Sequence, residues 1–247
     1  MNIILFEEGE LRNNSLLLTD HRAKHVVKVL RSKIEDILRV GILGGAMGTA
    51  VVANIHRKYP FAVELSVNLT DIPDPAPAID LLLALPRPIM LKRILSQVTA
   101  LGVGQIFIIN ASRVEKSFWE AGILEPEEYR PHLIHGLEQA VDTIIPALHI
   151  RRHFRHFVED ELPAMAKNYA HFLLAHPGGT RPLATCMQNR RGSVLYAIGP
   201  EGGWVDSEVE TFMRVGMESF SIGSRILKVD TAVIAIHSRI AQELERI

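Results

Sequence analysis

The chain has 247 residues, 47% of them hydrophobic and 22% charged, with a formal net charge of −1. That is enough apolar material for one large domain or two smaller ones, and a near-neutral charge gives no global pull toward nucleic acid, so an RNA partner has to rest on local patches. A single cysteine, Cys186, excludes an internal disulfide and any multi-cysteine metal site. The apolar runs stop short of a membrane span, and acids at Glu7 and Glu8 stand where a secretory signal needs basic residues, so the cytoplasm is the expected compartment.

The amino-terminal part reads as mostly β. A helix is expected from Asp20 to Leu30, with Ala23, Val26, Val27 and Leu30 on one face. Ile37 to Leu43 and Ala50 to Ile55 flank Gly44-Gly45-Ala46-Met47-Gly48, a hairpin signal. Val63, Leu65, Val67 and Leu69 alternate with polar residues, the period of a half-buried strand. Short strands with one helix predict a small barrel over residues 1–72. Asp71-Ile72-Pro73-Asp74-Pro75-Ala76-Pro77 follows, a proline-stiffened linker.

From residue 76 to 247 the pattern turns to α/β. Ile79 to Leu85 is a predicted strand. Pro88 opens a helix with Leu91, Ile94, Leu95, Val98 and Leu101 inward, and Gly102 stops it. Gln105 to Asn110 is a strand, and Pro126 to Val141 a helix with Tyr129, Leu133, Leu137 and Val141 inward. Ala170 to Ala175 is a strand that ends at His176-Pro177-Gly178-Gly179. Val194 to Ile198 is an uncharged run that leads into Gly199-Pro200-Glu201-Gly202-Gly203, with a helix from Ser207. Ser219 to Ile222 is a strand that meets Gly223, and the loop from Ser224 to Val229 enters a C-terminal helix that Asp230 or Thr231 can cap. Alternating strands and helices predict a mostly parallel sheet with helices on both faces.

A strand that ends in a glycine turn before a helix exposes backbone groups at the end of a sheet, where open α/β sheets bind ligands. Glycines let a ligand lie against the backbone, and Pro200 stiffens the loop. The alternative is a tight turn without a ligand. Basic residues gather at Arg22, Lys24, Lys28, Arg31 and Lys33, and again at Arg151, Arg152, His153, Arg155 and His156 with Phe154 and Phe157 interleaved. Either group is a solvated face or a phosphate contact surface. His149, His153 and His156 lack the carboxylate partners of a metal site, and no metal is expected. Cys186 reads as a core filler.

The Gly199 to Gly203 block, followed by Ile222-Gly223-Ser224-Arg225-Ile226-Leu227-Lys228-Val229-Asp230-Thr231-Ala232, resembles the signature of the RsmE family. These are SPOUT-class methyltransferases that act on N3 of a uridine in 16S ribosomal RNA. Weaker likenesses are His25-Val26-Val27-Lys28-Val29-Leu30-Arg31, Leu101-Gly102-Val103, Ser112-Arg113 and Glu138-Gln139. The resemblance covers nearly the whole chain. It implies a PUA-like RNA-binding barrel over 1–72, a trefoil-knotted SPOUT domain over 76–247, and a homodimer. It implies S-adenosylmethionine held by three loops: His176 and Pro177; Ile198, Gly199, Pro200, Glu201, Gly202 and Gly203; and Ile222, Gly223, Ile226, Leu227 and Thr231. It implies catalytic roles for Arg225, Glu201, Lys228 and Asp230, and RNA contacts by Arg22, Lys24, Lys28, Arg31, Arg87 and Arg113.

The chemistry is loss of the uridine N3 proton and alignment of the anionic nitrogen with a methyl group on sulfonium. A guanidinium such as Arg225 suits the developing charge. Glu201 is a base, a ribose ligand or a helix cap. Lys228 and Asp230 replace the family's Arg and Glu, and Asp230 can serve as an N-cap. Pro86-Arg87-Pro88-Ile89 and Ala140-Val141-Asp142-Thr143 also depart from its pattern. The rival readings are a non-catalytic RNA- or ribosome-binding protein on the same fold, a methyltransferase with another RNA target, and a small-molecule nucleotide-binding protein.

Overall fold

The computed structural model describes residues 1–73, 75, 78–188 and 192–246. Asp74, Ala76 and Pro77 of the proline-rich segment lie outside the described residues. Two units are distinct: Met1–Pro75 with Ile134–Ile145, and Ala76–Leu133 with Pro146–Ile247.

In the first unit, β1 (Ile4–Phe6), β2 (Leu11–Arg12) and β3 (Ser15–Leu18) precede α1 (His21–His25), and β4 (Ile37–Ile42), β5 (Met47–His56) and β6 (Ala62–Asp71) follow. Among the described residues they form a six-stranded sheet in the order β1-β4-β5-β6-β3-β2. It is antiparallel apart from the β1–β4 pair. Val63, Leu65 and Val67 bury their alternate side chains with Leu16, Leu18, Val26 and Val40. The expected helix from Asp20 to Leu30 is α1 followed by a π-helical turn, Val26–Leu30, which ends at Arg31 in the left-handed region (φ 55°). The wider π turn rotates Leu30 off the apolar face, so it is 43% exposed. The segment from Ile134 to Ile145 groups with this unit through Leu137, which packs on Ile3 and Leu5, and through Thr143, whose Oγ1 donates to the Gly45 carbonyl at 2.7 Å.

The second unit runs β7 (Ile79–Ala84), α2 (Pro88–Ala100), β8 (Gln105–Ile109), α3 (Pro126–Ala140, whose last turns belong to the first unit), β9 (Ala147–Arg151), α4 (Leu162–Ala166), β10 (His171–Ala175), β11 (Arg181–Pro182), α5 (Leu183–Cys186), β12 (Val194–Ile198), α6 (Asp206–Arg214), β13 (Glu218–Ser221) and α7 (Val229–Arg246). Among the described residues the strands form a seven-stranded sheet ordered β11-β13-β10-β12-β7-β8-β9, and every pairing in it is parallel. One face, with Leu82, Phe107, Phe172, Leu174 and Leu195, packs on Phe157, Leu162 and Phe212. The other is covered by α7, which also packs on α2. Burial on both faces explains why β12 is a continuous apolar run and why β7 is apolar apart from Asp80, whose buried carboxylate accepts from Gln105 and Tyr169.

Two features depart from the sequence reading. β9 was not expected, because Arg151 and His149 hid the strand pattern. The basic–aromatic segment 151–157 is split: Arg152, His153, Arg155 and His156 are exposed, but Phe157 is buried, Arg151 pairs with Glu161 at 2.8 Å, and Arg152 sits 5.3 Å from the Trp119 ring centroid.

Candidate functional site

The carboxyl ends of β10, β12 and β13 lie side by side, because these three strands are parallel neighbours. Each ends in a glycine-bearing loop, so the loops at His176, Gly199 and Gly223 emerge from one edge of the sheet. Among open α/β sheets this edge is the ligand-binding one.

Backbone hydrogen bonds fix the first loop. The His176 N–H donates to the Phe220 carbonyl at 3.0 Å, and the Gly179 N–H donates to the His176 carbonyl at 2.9 Å. His176 Nδ1 accepts from the Gly178 N–H at 3.2 Å. Pro177 is exposed beside it. A Cβ on Gly179 would stand 2.5 Å from the Phe220 carbonyl carbon, so this loop lies directly on the β13 backbone.

Ile198 is buried at the end of β12, and the second loop closes with the Gly203 N–H on the Pro200 carbonyl at 2.8 Å. Gly203 has φ +72°, a conformation that favours glycine. Trp204 packs under Gly199, whose Cβ would meet its ring at 3.2 Å. Glu208, in the first turn of α6, is buried: it accepts from the Ser112 N–H at 2.6 Å and from the Val205 N–H at 3.0 Å. It thereby ties the end of this loop to the segment after β8.

Glu201 accepts from the Arg87 backbone N–H at 3.0 Å. Arg87 is the residue before α2, so Glu201 sits at that helix's amino terminus, where negative charge is favoured. The helix-cap option is therefore realised in this structure. Arg113 donates to the Gly202 carbonyl, and its side chain would meet a Gly202 Cβ at 3.0 Å. Arg113 and Arg87, both chosen from the sequence as RNA contacts, are thus brought to the glycine loop: the first through its guanidinium, the second through its backbone.

The third loop is open. Gly223 has φ +140°, and a Cβ there would meet nothing within 4 Å. Ile222 offers its carbonyl to Arg239 at 2.9 Å. Arg225 is exposed, with no hydrogen bond or ion pair among the described residues. Ile226 is 85% exposed, and Leu227 is half-buried. The Lys228 carbonyl accepts from the Ala232 N–H at 2.8 Å, which starts α7. Asp230 is therefore inside the first turn rather than at the cap, and its Oδ1 accepts from the Thr231 N–H at 2.9 Å. A cavity of ≈ 590 Å³ is lined by Gly179, Thr180, Ser221, Ile222, Gly223 and Arg239 among others, and Gly199–Gly203 lies outside its lining.

Of the first-unit candidates, Lys24, Lys28 and Arg31 are exposed. Arg22 is not available. Its guanidinium bonds Glu10 at 2.5 Å, Asp20 at 2.7 Å and the Leu5 carbonyl at 2.9 Å, and its side chain is 12% exposed. It braces α1 against the sheet of its own unit instead of facing a phosphate.

The RNA methyltransferase domain family matches residues 73–241. A ribosomal RNA small subunit methyltransferase E of Treponema pallidum is 31% identical over 240 residues, which covers 95% of this chain and 88% of that one. The chain belongs to the ribosomal RNA small subunit methyltransferase E family. A second relative of that name, from Borreliella burgdorferi, is 26% identical over 235 residues and covers 95% of both chains. The fold is shared with the small subunit methyltransferase E of Neisseria gonorrhoeae bound to S-adenosyl methionine, with a TM-score of 0.78 at 20% identity over 98% of this chain and 97% of that one.

Sequence reasoning missed two supports of this RsmE-family site. Glu208 was not singled out from the sequence; its signal was its distance of three residues from Val205, the spacing of a capping interaction. Trp204 carried no sequence signal beyond adjacency to the glycine loop.

Proposed function

We propose that this chain transfers a methyl group from S-adenosylmethionine to N3 of a uridine in 16S ribosomal RNA. The observation that carries the reading is the set of three glycine loops at neighbouring parallel strand ends, one of them with Arg225 exposed and unpartnered among the described residues. The donor set fits the cofactor: open space at Gly223 and left-handed backbone at Gly203 let a ligand approach main-chain groups. When bound, S-adenosylmethionine supplies an electrophilic methyl on sulfonium.

The residues of the chain supply position and charge. His176, Pro177, Ile198–Gly203, Ile222, Gly223, Ile226, Leu227 and Thr231 form the cofactor-facing set. Arg225 stabilises negative charge on the uridine as N3 loses its proton. Lys228 adds a second cation without a guanidinium's two-point contact. Glu201 orders the loop by capping α2, and Asp230 orders the first turn of α7. Lys24, Lys28 and Arg31 meet RNA phosphates.

The finer architecture belongs to the same reading: a PUA-like RNA-binding unit, a trefoil knot, a homodimer and a cytoplasmic site of action. Support for the knot comes from the connection between β10 and β11. It crosses β13, which lies between those strands, and Gly179 touches the β13 backbone on the way. The homodimer follows from the family resemblance.

Calorimetric titration with S-adenosylmethionine and its demethylated product tests the site. Saturable micromolar binding is expected for either, and it should be lost in Gly202→Val, whose side chain displaces Arg113. A folded Gly202→Val protein with normal affinity would remove this loop from the site.

A further inference from the structure

The β5–β6 hairpin ends in Arg57-Lys58-Tyr59-Pro60-Phe61, a segment outside every motif that carried the family resemblance. Tyr59 is 88% exposed. A phenol ring left in water at a hairpin tip contributes nothing to its own core. Yet the tip is held from behind. Arg57 Nη2 donates to the carbonyl of buried Ser32 at 2.6 Å. Lys28 Nζ lies 5.2 Å from the Phe61 ring centroid. Tyr59 meets Phe61 edge to face, with centroids 6.3 Å apart at 89°. The tip is thus tied to the π-helical segment through Lys28 and to the turn after it through Ser32.

The two segments that meet at the tip carry charge of one sign. Residues 56–61 and 28–33 contain Lys28, Arg31, Lys33, Arg57 and Lys58 and no acid. Lys28, Arg31, Lys33 and Lys58 are all exposed. The next acids along the chain are Glu35, which is exposed, and Asp36, which accepts from the Lys33 backbone N–H at 2.7 Å. Exposed Val29 (63%) and Ile34 (55%) add apolar surface on the same segment.

We propose that this face is a base-stacking platform for single-stranded RNA, with Tyr59 taking one unpaired base and Lys28, Lys33 and Lys58 meeting the flanking phosphates. An exposed aromatic anchored on a segment rich in cations has the chemistry that binds unstacked bases. A duplex keeps its base faces covered and offers this ring nothing to stack on. The proposal deepens the RNA methyltransferase reading and rests on it for the identity of the partner. Tyr59 is a positioning residue that holds RNA and takes no part in methyl transfer.

The test is fluorescence anisotropy with a labelled single-stranded oligouridylate and with a fully paired hairpin RNA, run on the full chain. Tyr59→Ala should weaken binding to the single strand roughly 5- to 100-fold, Tyr59→Phe should keep near-wild-type affinity, and neither should alter thermal stability. Lys58→Ala should reduce the slope of log affinity against log salt by about one. Unchanged affinity in Tyr59→Ala, or an equal loss on paired RNA, overturns the platform. Methyl transfer measured on the same wild-type preparation separates the two claims. Transfer with Tyr59-independent binding sinks only the platform, whereas Tyr59-dependent binding without transfer sinks only the enzyme reading.

Discussion

Arg225 bears most of the chemical claim. It is exposed, and no bond among the described residues holds it, so its removal should leave the fold intact. Arg225→Ala is expected to lower kcat about 100- to 1,000-fold, the usual loss for one charge-stabilising donor, with an unchanged melting temperature; Arg225→Lys should recover only part of it. Steady-state kinetics beside thermal melts decide this, and a variant with full kcat removes Arg225 from the chemistry. Glu201 is predicted to behave differently. Glu201→Ala removes a helix-terminal acceptor and should cost about 1 kcal/mol in denaturant unfolding, while Glu201→Gln, which keeps an oxygen for the Arg87 N–H, should cost less. If Glu201→Gln instead abolishes turnover at unchanged stability, the carboxylate acts in catalysis and not as a cap. The charge type at each of these positions was legible in the sequence. The choice among base, ribose ligand and cap was not, because it depends on Arg87 lying across a span of 114 residues. Arg22 shows the same limit: among basic neighbours it reads as a phosphate contact, yet Glu10 and Asp20 claim it.

At the scale of elements, β12 followed by its glycine turn was readable because an uncharged run bounded by Gly and Pro has few other interpretations. The helix Pro88–Ala100 was readable from its start signal and apolar spacing. The π turn after α1 was not, since an extra residue in one turn leaves no compositional mark. Elements also carry the pH response. In α7, His237 is fully buried: Nε2 is 3.1 Å from the Leu101 carbonyl and Nδ1 is 3.1 Å from the Tyr196 hydroxyl. These partners assign the proton to Nε2 and make Nδ1 the acceptor. Burial pushes this imidazole down to about 4, against a smaller opposing pull from the Leu101 carbonyl. The folded state therefore binds fewer protons than the unfolded state between that value and the ordinary one. The stabilisation is complete above the ordinary histidine range and is lost as pH falls toward 4, with a ceiling of roughly 3 kcal/mol. Denaturant unfolding across this window should show His237→Gln losing less stability with acid than the wild type. Parallel curves would mean that His237 is not the titrating group.

For the molecule as a whole, the α/β class and the change of character after the proline-rich segment were legible, because alternation of strand and helix is a long-range pattern that single substitutions do not erase. The order β11-β13-β10-β12-β7-β8-β9 was not. Nothing in the local sequence of β13 says that it lies between β10 and β11, and the general rule against threaded chains points away from such an arrangement. Gly179 records the consequence. Gly179→Ala would set its methyl 2.5 Å from the Phe220 carbonyl carbon, so it is expected to yield little folded protein, whereas Gly223→Ala, with open space around its Cβ, should fold and carry only backbone strain of about 1 kcal/mol. Soluble yield and thermal melts compare the two, and a normally stable Gly179→Ala would contradict the close crossing over β13.

The central claim is methyl transfer to a uridine of the small-subunit RNA. Its most direct test is incubation of the purified chain with isotopically labelled S-adenosylmethionine and small ribosomal subunits that lack the modification, followed by nucleoside digestion and mass spectrometry. The account predicts label in N3-methyluridine from 16S RNA, absent with Arg225→Ala. Label in another nucleoside would reassign the target. No label with a folded, cofactor-binding protein would contradict the enzyme reading and favour a non-catalytic RNA-binding role on the same fold.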